Sequence, residues 1–225
     1  MNFSRKSLPF NPTRDIPSLH GKVILVTGGT DGLGKQCPLE LDLSSFESVQ
    51  NATSVVLAQC QRLDILMLNA GVMAVPPGLT ANGHEIQFGT NYLGNIILVS
   101  SRGDMYVPKP QGIRYETLRT NGHSLGPYER YGQSKLAMIL WAKEAARRYL
   151  RITVVSVHPG VVRTNLMDNA TGSPCWMRLL GKGVRNQFWA SRAADVVSGC
   201  YYEPDDNLAR GLWEWTEGEI REYWG

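Results

Sequence analysis

Tyr131 and Lys135, in the stretch Tyr131-Gly132-Gln133-Ser134-Lys135, are four residues apart, the spacing that stacks two side chains on one face of a helix. An ammonium held beside a phenol favours the ionised form of that phenol. A group that titrates near ~10 in water then exchanges its proton near neutral pH, as a general acid or base must. Roughly a hundred residues upstream, directly after the apolar run Val23-Ile24-Leu25-Val26, stands Thr27-Gly28-Gly29-Thr30-Asp31-Gly32-Leu33-Gly34. Glycines behind a strand permit a tight turn and bring backbone N–H groups close to a pyrophosphate at a helix N-terminus. Together the two motifs imply redox chemistry on a bound dinucleotide, with the phenol handling the proton.

Such groups need a frame. Val23 to Val26 reads as a first strand, Leu39 to Leu43 as a second and Asp64 to Leu68 as a third, each short, apolar and ending near a polar or glycine turn. Ile96 to Val99 and Ile152 to Val157 read as further strands. Ser44 to Gln61 reads as a helix opened by a capping box of Ser44 and Glu47, with Phe46, Val49, Val56 and Cys60 near one face. Tyr131 to Tyr149 is a long helix, and its terminal Arg147-Arg148 pair suits the helix dipole. Alternation of strands with helices implies an α/β layered fold around a parallel sheet. At 225 residues the chain is expected to form one domain over 1 to 225, with an extension at 1 to 20.

The ordered motifs TGGTDGLG at 27 to 34, LDL at 41 to 43, LNAG at 68 to 71, TNYLG at 90 to 94, VSS at 99 to 101, YGQSK at 131 to 135 and HPGVVRT at 158 to 164 resemble those of the short-chain dehydrogenase/reductase family. The similarity is greatest to its retinol-dehydrogenase-like and fungal branches. It implies a Rossmann-like, doubly wound parallel sheet and hydride transfer between a nicotinamide and a ketone or secondary alcohol of an apolar small molecule. By resemblance Tyr131 is the general acid in reduction and the base in oxidation, where the bland alternative is a buried structural tyrosine. Lys135 holds the nicotinamide ribose and lowers the tyrosine pKa. Ser101 bonds the substrate oxygen, with Ser100 as the neighbouring alternative. Asn91 matches the asparagine whose backbone holds a relay water; helix termination beside Gly94 is its alternative. For the cofactor, Gly28, Gly32 and Gly34 form the turn and Leu33 presents its backbone. Asn69, Ala70 and Gly71 resemble the segment beside the adenine ribose, Asp42 the aspartate that meets the adenine amino group, and Val162 and Thr164 the residues at the carboxamide and nearby phosphate. Residues 165 to 190, rich in Trp, Met and Phe, correspond to the family's substrate lid; a helix packed on the core or on a second subunit of a homo-oligomer is the other reading.

The chain also departs from that pattern. Only Lys35-Gln36-Cys37 separates Gly34 from Pro38, and Asp42 follows eight residues after Gly34. A parallel crossover needs a dozen or more residues, so the second strand and its flanking helices are expected to be missing. The helix carrying Asn91 is expected to be short, with Asn91 displaced. The ribose-reading residue at the end of the second strand cannot be read, and NADP is favoured over NAD only through the branch the chain resembles. A truncated, non-catalytic remnant with impaired cofactor binding is the competing reading.

A net charge of +3 without a Lys/Arg block implies no nucleic-acid footprint. Four cysteines without CxxC pairing and four scattered histidines suggest no metal or disulfide chemistry. With no apolar run of 18 residues and no signal-like N-terminus, the expectation is a cytoplasmic protein without a transmembrane segment.

Overall fold

The computed structural model describes residues 19–28, 39–94, 107, 112–156 and 198–199. Within them β1 (Ile24–Thr27) and β2 (Ile65–Leu68) pair in parallel, Ile24 opposite Ile65 and Thr27 opposite Leu68. Their register is pinned at the N-terminal end by Asp64, whose Oδ2 accepts the Val23 N–H at 2.9 Å and whose Oδ1 accepts from Lys22 Nζ at 3.0 Å. Arg62, the Val23 N–H and Lys22 together hold the Asp64 carboxyl well below the usual carboxylate range.

The crossover between these strands carries α1 (Phe46–Gln59). The helix starts one residue later than its sequence suggests, because Ser45, not Ser44, is the N-cap and accepts the Ser48 N–H at 3.3 Å. Ser44 is committed elsewhere: its N–H and hydroxyl both donate to Asp42 Oδ1, at 2.8 and 2.7 Å. That turn, with the Asp42 N–H donating to Ser48 Oγ at 2.9 Å, corrects the expected strand at Leu39 to Leu43. Local side-chain bonds of Asp and Ser compete with a ladder and here they replace it. Among the described residues β1 therefore pairs with β2 alone, and Val26 is left 43% exposed.

After β2 the chain runs to α2 (Ile86–Phe88), which passes directly into a π-helical turn, Gly89–Leu93, closed by the Gly94 N–H on Gly89 O at 2.7 Å. The helix is as short as expected. A 3-10 turn at Tyr115–Thr117 precedes α3 (Pro127–Arg148). This last helix begins a turn before Tyr131, with Pro127 where a missing N–H costs nothing, and ends with Arg147 and Arg148 in its last turn. Phe46, Phe88, Tyr92, Leu140, Trp141 and Val154 meet in the main core, so α1, α2 and α3 share one apolar interior.

Of the strand expected at Ile152 to Val157, residues 152–156 form no ladder with a described strand, and Val157 lies outside the described residues. Instead Val154 donates its N–H to Ser198 Oγ at 3.1 Å and accepts the Gly199 N–H at 3.0 Å. Residues 1 to 18 of the expected extension at 1 to 20, the strand at Ile96 to Val99 and the segment 165 to 190 lie outside the described residues. No described helix is long and apolar enough to cross a membrane, and no described cluster of His, Cys, Asp or Glu has metal-site geometry.

Candidate active site

Parallel strands place their C-terminal ends on one side, and ligands of open α/β sheets bind there. At that edge Thr27 closes β1, and its hydroxyl accepts the N–H groups of Asn69 and Ala70 at 3.1 and 3.2 Å. Gly28 follows with φ +72, and a Cβ built there would stand 2.9 Å from Ala70 Cα. The turn after β1 and the Asn69-Ala70-Gly71 segment after β2 are thus in contact, and only a glycine permits the approach.

Asn91 lies within the π-helical turn, fully buried. Its Oδ1 accepts the Val72 N–H at 2.7 Å, while Nδ2 donates to Val72 O at 2.8 Å and to Ser134 Oγ at 3.0 Å. Ser134 in turn donates to Tyr131 O at 2.8 Å. The short helix has not carried Asn91 away from the site, contrary to the expected displacement. Three bonds from one carboxamide tie the strand-end loop to α3.

On α3, Tyr131 and Lys135 project from one face, both buried. Lys135 Nζ stands 5.5 Å from the centroid of the Tyr131 ring and 3.6 Å from Met138 Sδ. Burial pushes the Lys135 ammonium down from 10.5 to about 8. Gly71 completes the group: a Cβ there would sit 2.9 Å from Asn91 Oδ1 and 3.7 Å from Lys135 Nζ. Tyr131, Lys135, Asn91 and Gly71 therefore converge.

Not every expected residue reaches this cluster. Asp42 is exposed and its Oδ1 is spent on Ser44, an arrangement that organises the start of α1. Asn69 is exposed at the strand end. Ser101, Gly32, Leu33, Gly34, Val162 and Thr164 lie outside the described residues.

Sequence reading missed the supports behind Tyr131. Arg130 and Glu85 form an ion pair at 3.0 Å with side chains 1% and 2% exposed, and Arg130 Nη2 also donates to Val75 O at 2.7 Å. Glu85 caps α2 by accepting the Phe88 N–H at 2.7 Å. Gln87, fully buried, accepts the Ala74 N–H at 2.8 Å and donates to Pro127 O at 3.0 Å. Ala74 itself has φ +51, the left-handed region, which costs a non-glycine residue about 1 to 3 kcal/mol. It packs with Met73 and Tyr131 in one small cluster. A Gln and an Arg more than ten residues from their partners leave no periodic trace.

The donor set fits the nicotinamide half of a dinucleotide: a buried cation and phenol beside a glycine too crowded for any side chain, at the C-terminal edge of parallel strands. The adenine half is less complete, since the Asp42 carboxylate faces its own helix start and β1 has no second described neighbour.

The profile described as short chain dehydrogenase matches residues 35–173. Retinol dehydrogenase 14 of Homo sapiens is 36% identical, the alignment covering 84% of this chain and 68% of that protein. An uncharacterized oxidoreductase of Schizosaccharomyces pombe is 33% identical over 68% of this chain and 63% of its own length. The short-chain dehydrogenase/reductase drtF of Aspergillus calidoustus, 28% identical, aligns across 96% of this chain and 97% of itself. That alignment runs over 310 positions, although the chain has 225 residues, so the fungal protein carries internal stretches that this one lacks. The chain spans 63% of the length of the Schizosaccharomyces protein and 61% of Retinol dehydrogenase 13 of Homo sapiens. A crystal structure of an uncharacterized protein from Mycobacterium Paratuberculosis shares the fold, with a TM-score of 0.70 over 92% of this chain and 96% of that one at 24% identity. The chain belongs to the short-chain dehydrogenase/reductase family, whose members have a Rossmann fold and use a nicotinamide dinucleotide.

Proposed function

We propose that this chain is an NAD(P)-dependent oxidoreductase acting on a ketone or secondary alcohol of an apolar small molecule, with NADP as the preferred cofactor. The observation that carries the reading is the convergence of Tyr131, Lys135, Asn91 and Gly71 at the C-terminal edge of the β1–β2 pair. When bound, the nicotinamide supplies or accepts the hydride. Tyr131 gives its phenolic proton to the substrate oxygen in reduction and takes one in oxidation. Lys135, charged below about pH 8, steadies the phenolate that remains and holds the cofactor ribose. Ser101 adds a hydrogen bond to the developing oxyanion. Asn91 keeps the loop at Val72 and the helix at Ser134 in fixed relation. The retinol dehydrogenases among the relatives motivate the apolar substrate class.

Reduction of a panel of apolar ketones by NADPH and NADH, with Tyr131→Phe as control, tests the reading. Turnover by wild type and its loss in the variant is expected. Equal turnover by both proteins contradicts the assignment.

A second reading is a remnant that retains the catalytic half without a usable adenine site. The turn at Asp42, the 43% exposure of Val26 and the stretches present in drtF but not in this chain favour it. Failure of both dinucleotides to bind would select it.

A further inference from the structure

Resting on the reading above, we infer that Gln87 is a positioning residue for Tyr131, acting by holding Ala74 in a left-handed conformation that seats residues 73 and 74 against the tyrosine.

The loop after Gly71 is gripped at successive backbone groups by three buried side chains. Asn91 holds both polar groups of Val72, Gln87 the N–H of Ala74, and Arg130 the carbonyl of Val75. Between the first and last grips the chain bends at Ala74, with φ +51 although no glycine is present. Alanine resists that conformation, so something must impose it. Gln87 is placed to do so. Its two ends bind Ala74 and Pro127, so it bridges the loop to the first residue of the helix that carries Tyr131. The result is a small cluster of Met73, Ala74 and Tyr131, with Tyr128 packed on it. A side chain that strains one wall of a site and anchors the opposite wall sets the distance between them. The same geometry packs Met73 and Ala74 against Tyr131.

This separates positioning from mere packing, because the strain can be removed independently. In Gln87→Met the volume stays close to native but both bonds are lost, and Ala74 is free to relax. Misplacement of a reacting group by about an ångström is enough for a roughly hundredfold loss of kcat. Ala74→Gly adopts a positive φ without cost and needs no clamp. In the Gln87→Met background it should therefore return kcat to within about tenfold of wild type, with KM changed less than kcat.

The test compares wild type, Gln87→Met, Ala74→Gly and the double variant. Loss in Gln87→Met with recovery in the double variant is expected. Unchanged kcat in Gln87→Met overturns the inference, as does a double variant that stays as impaired as the single one. If Gln87→Met does not fold, the double variant alone decides by the same criterion. A second readout needs no turnover: the phenolate absorbance of Tyr131, isolated by difference against Tyr131→Phe across a pH titration. Its midpoint should rise in Gln87→Met, as the phenol loses its place beside Lys135, and return in the double variant. A wild-type chain that binds no dinucleotide but shows this pattern would sink the oxidoreductase reading and leave the positioning role standing.

Discussion

Tyr131→Phe removes the phenolic hydroxyl, with its transferable proton, and little volume from a buried site. Turnover is expected to fall by roughly a hundredfold to ten-thousandfold, the ordinary worth of a general acid, while dinucleotide affinity stays within about twofold. Initial-rate kinetics and a binding titration on the same preparation check both halves. Lys135 offers a sharper test, because its charge is costly where it stands. Its ammonium titrates at about 8 in the folded protein, below the ordinary 10.5. Between those pH values the unfolded chain binds the extra proton, so stability from this group rises with pH over that window. Below about pH 8 both states are charged and the full cost remains, on the order of 3 kcal/mol. Lys135→Met is therefore expected to be inactive yet more stable than wild type at neutral pH, with the gain gone above pH 10.5. Urea melts across that range measure it; a variant less stable at neutral pH contradicts the buried-cation picture. The same titration predicts that carbonyl reduction by wild type declines as pH rises through about 8, where the charge that supports the phenolate is lost.

At the scale of elements, the N-terminal half of α3 is held by a polar core more than by an apolar one. Arg130 bridges Glu85 and Val75 with almost no solvent contact, and Glu85 also caps α2. Removing one member leaves an unpaired buried charge, so Arg130→Met is expected to cost about 3 to 5 kcal/mol in equilibrium unfolding. The double change with Glu85→Leu should recover part of that loss; no recovery would mean that Arg130 matters by shape alone. None of this network was legible in the sequence, because it joins residues by tertiary contact and not by spacing. What was legible had a local cause. The Tyr131–Lys135 pair followed from helical periodicity, and β1 and β2 from apolar runs bounded by turns. Where local reading failed, a competing local bond was responsible. Leu39 to Leu43 has the apolar content of a strand, but Asp42 and Ser44 close a turn there and shift the cap of α1 to Ser45. Ala74 gave no signal at all, since alanine carries no mark of a positive φ.

For the whole molecule the decisive fact is what lies beside β1. Gly28 and Leu39 are too close in sequence for a strand and its crossovers, and β2 is the only described neighbour of β1. An exposed apolar side chain on a strand invites association, and Val26 on β1 is 43% exposed. Val26→Lys is expected to slow aggregation, followed by light scattering, while moving stability by less than about 0.5 kcal/mol. Grafting the fungal relative's missing segment between Cys37 and Pro38 should raise both melting temperature and cofactor affinity. A cooperative melt of the unmodified chain above ~65 °C, beyond the usual mesophile range, would contradict this view of its stability. The oxidoreductase reading itself depends on whether a dinucleotide still binds beside Lys135 and Tyr131. Fluorescence titration of the purified chain with NADPH and with NADH answers that directly. Saturable binding of at least one is expected, retained in Tyr131→Phe and weakened in Lys135→Ala. Saturation by neither, or binding indifferent to Lys135, would contradict it.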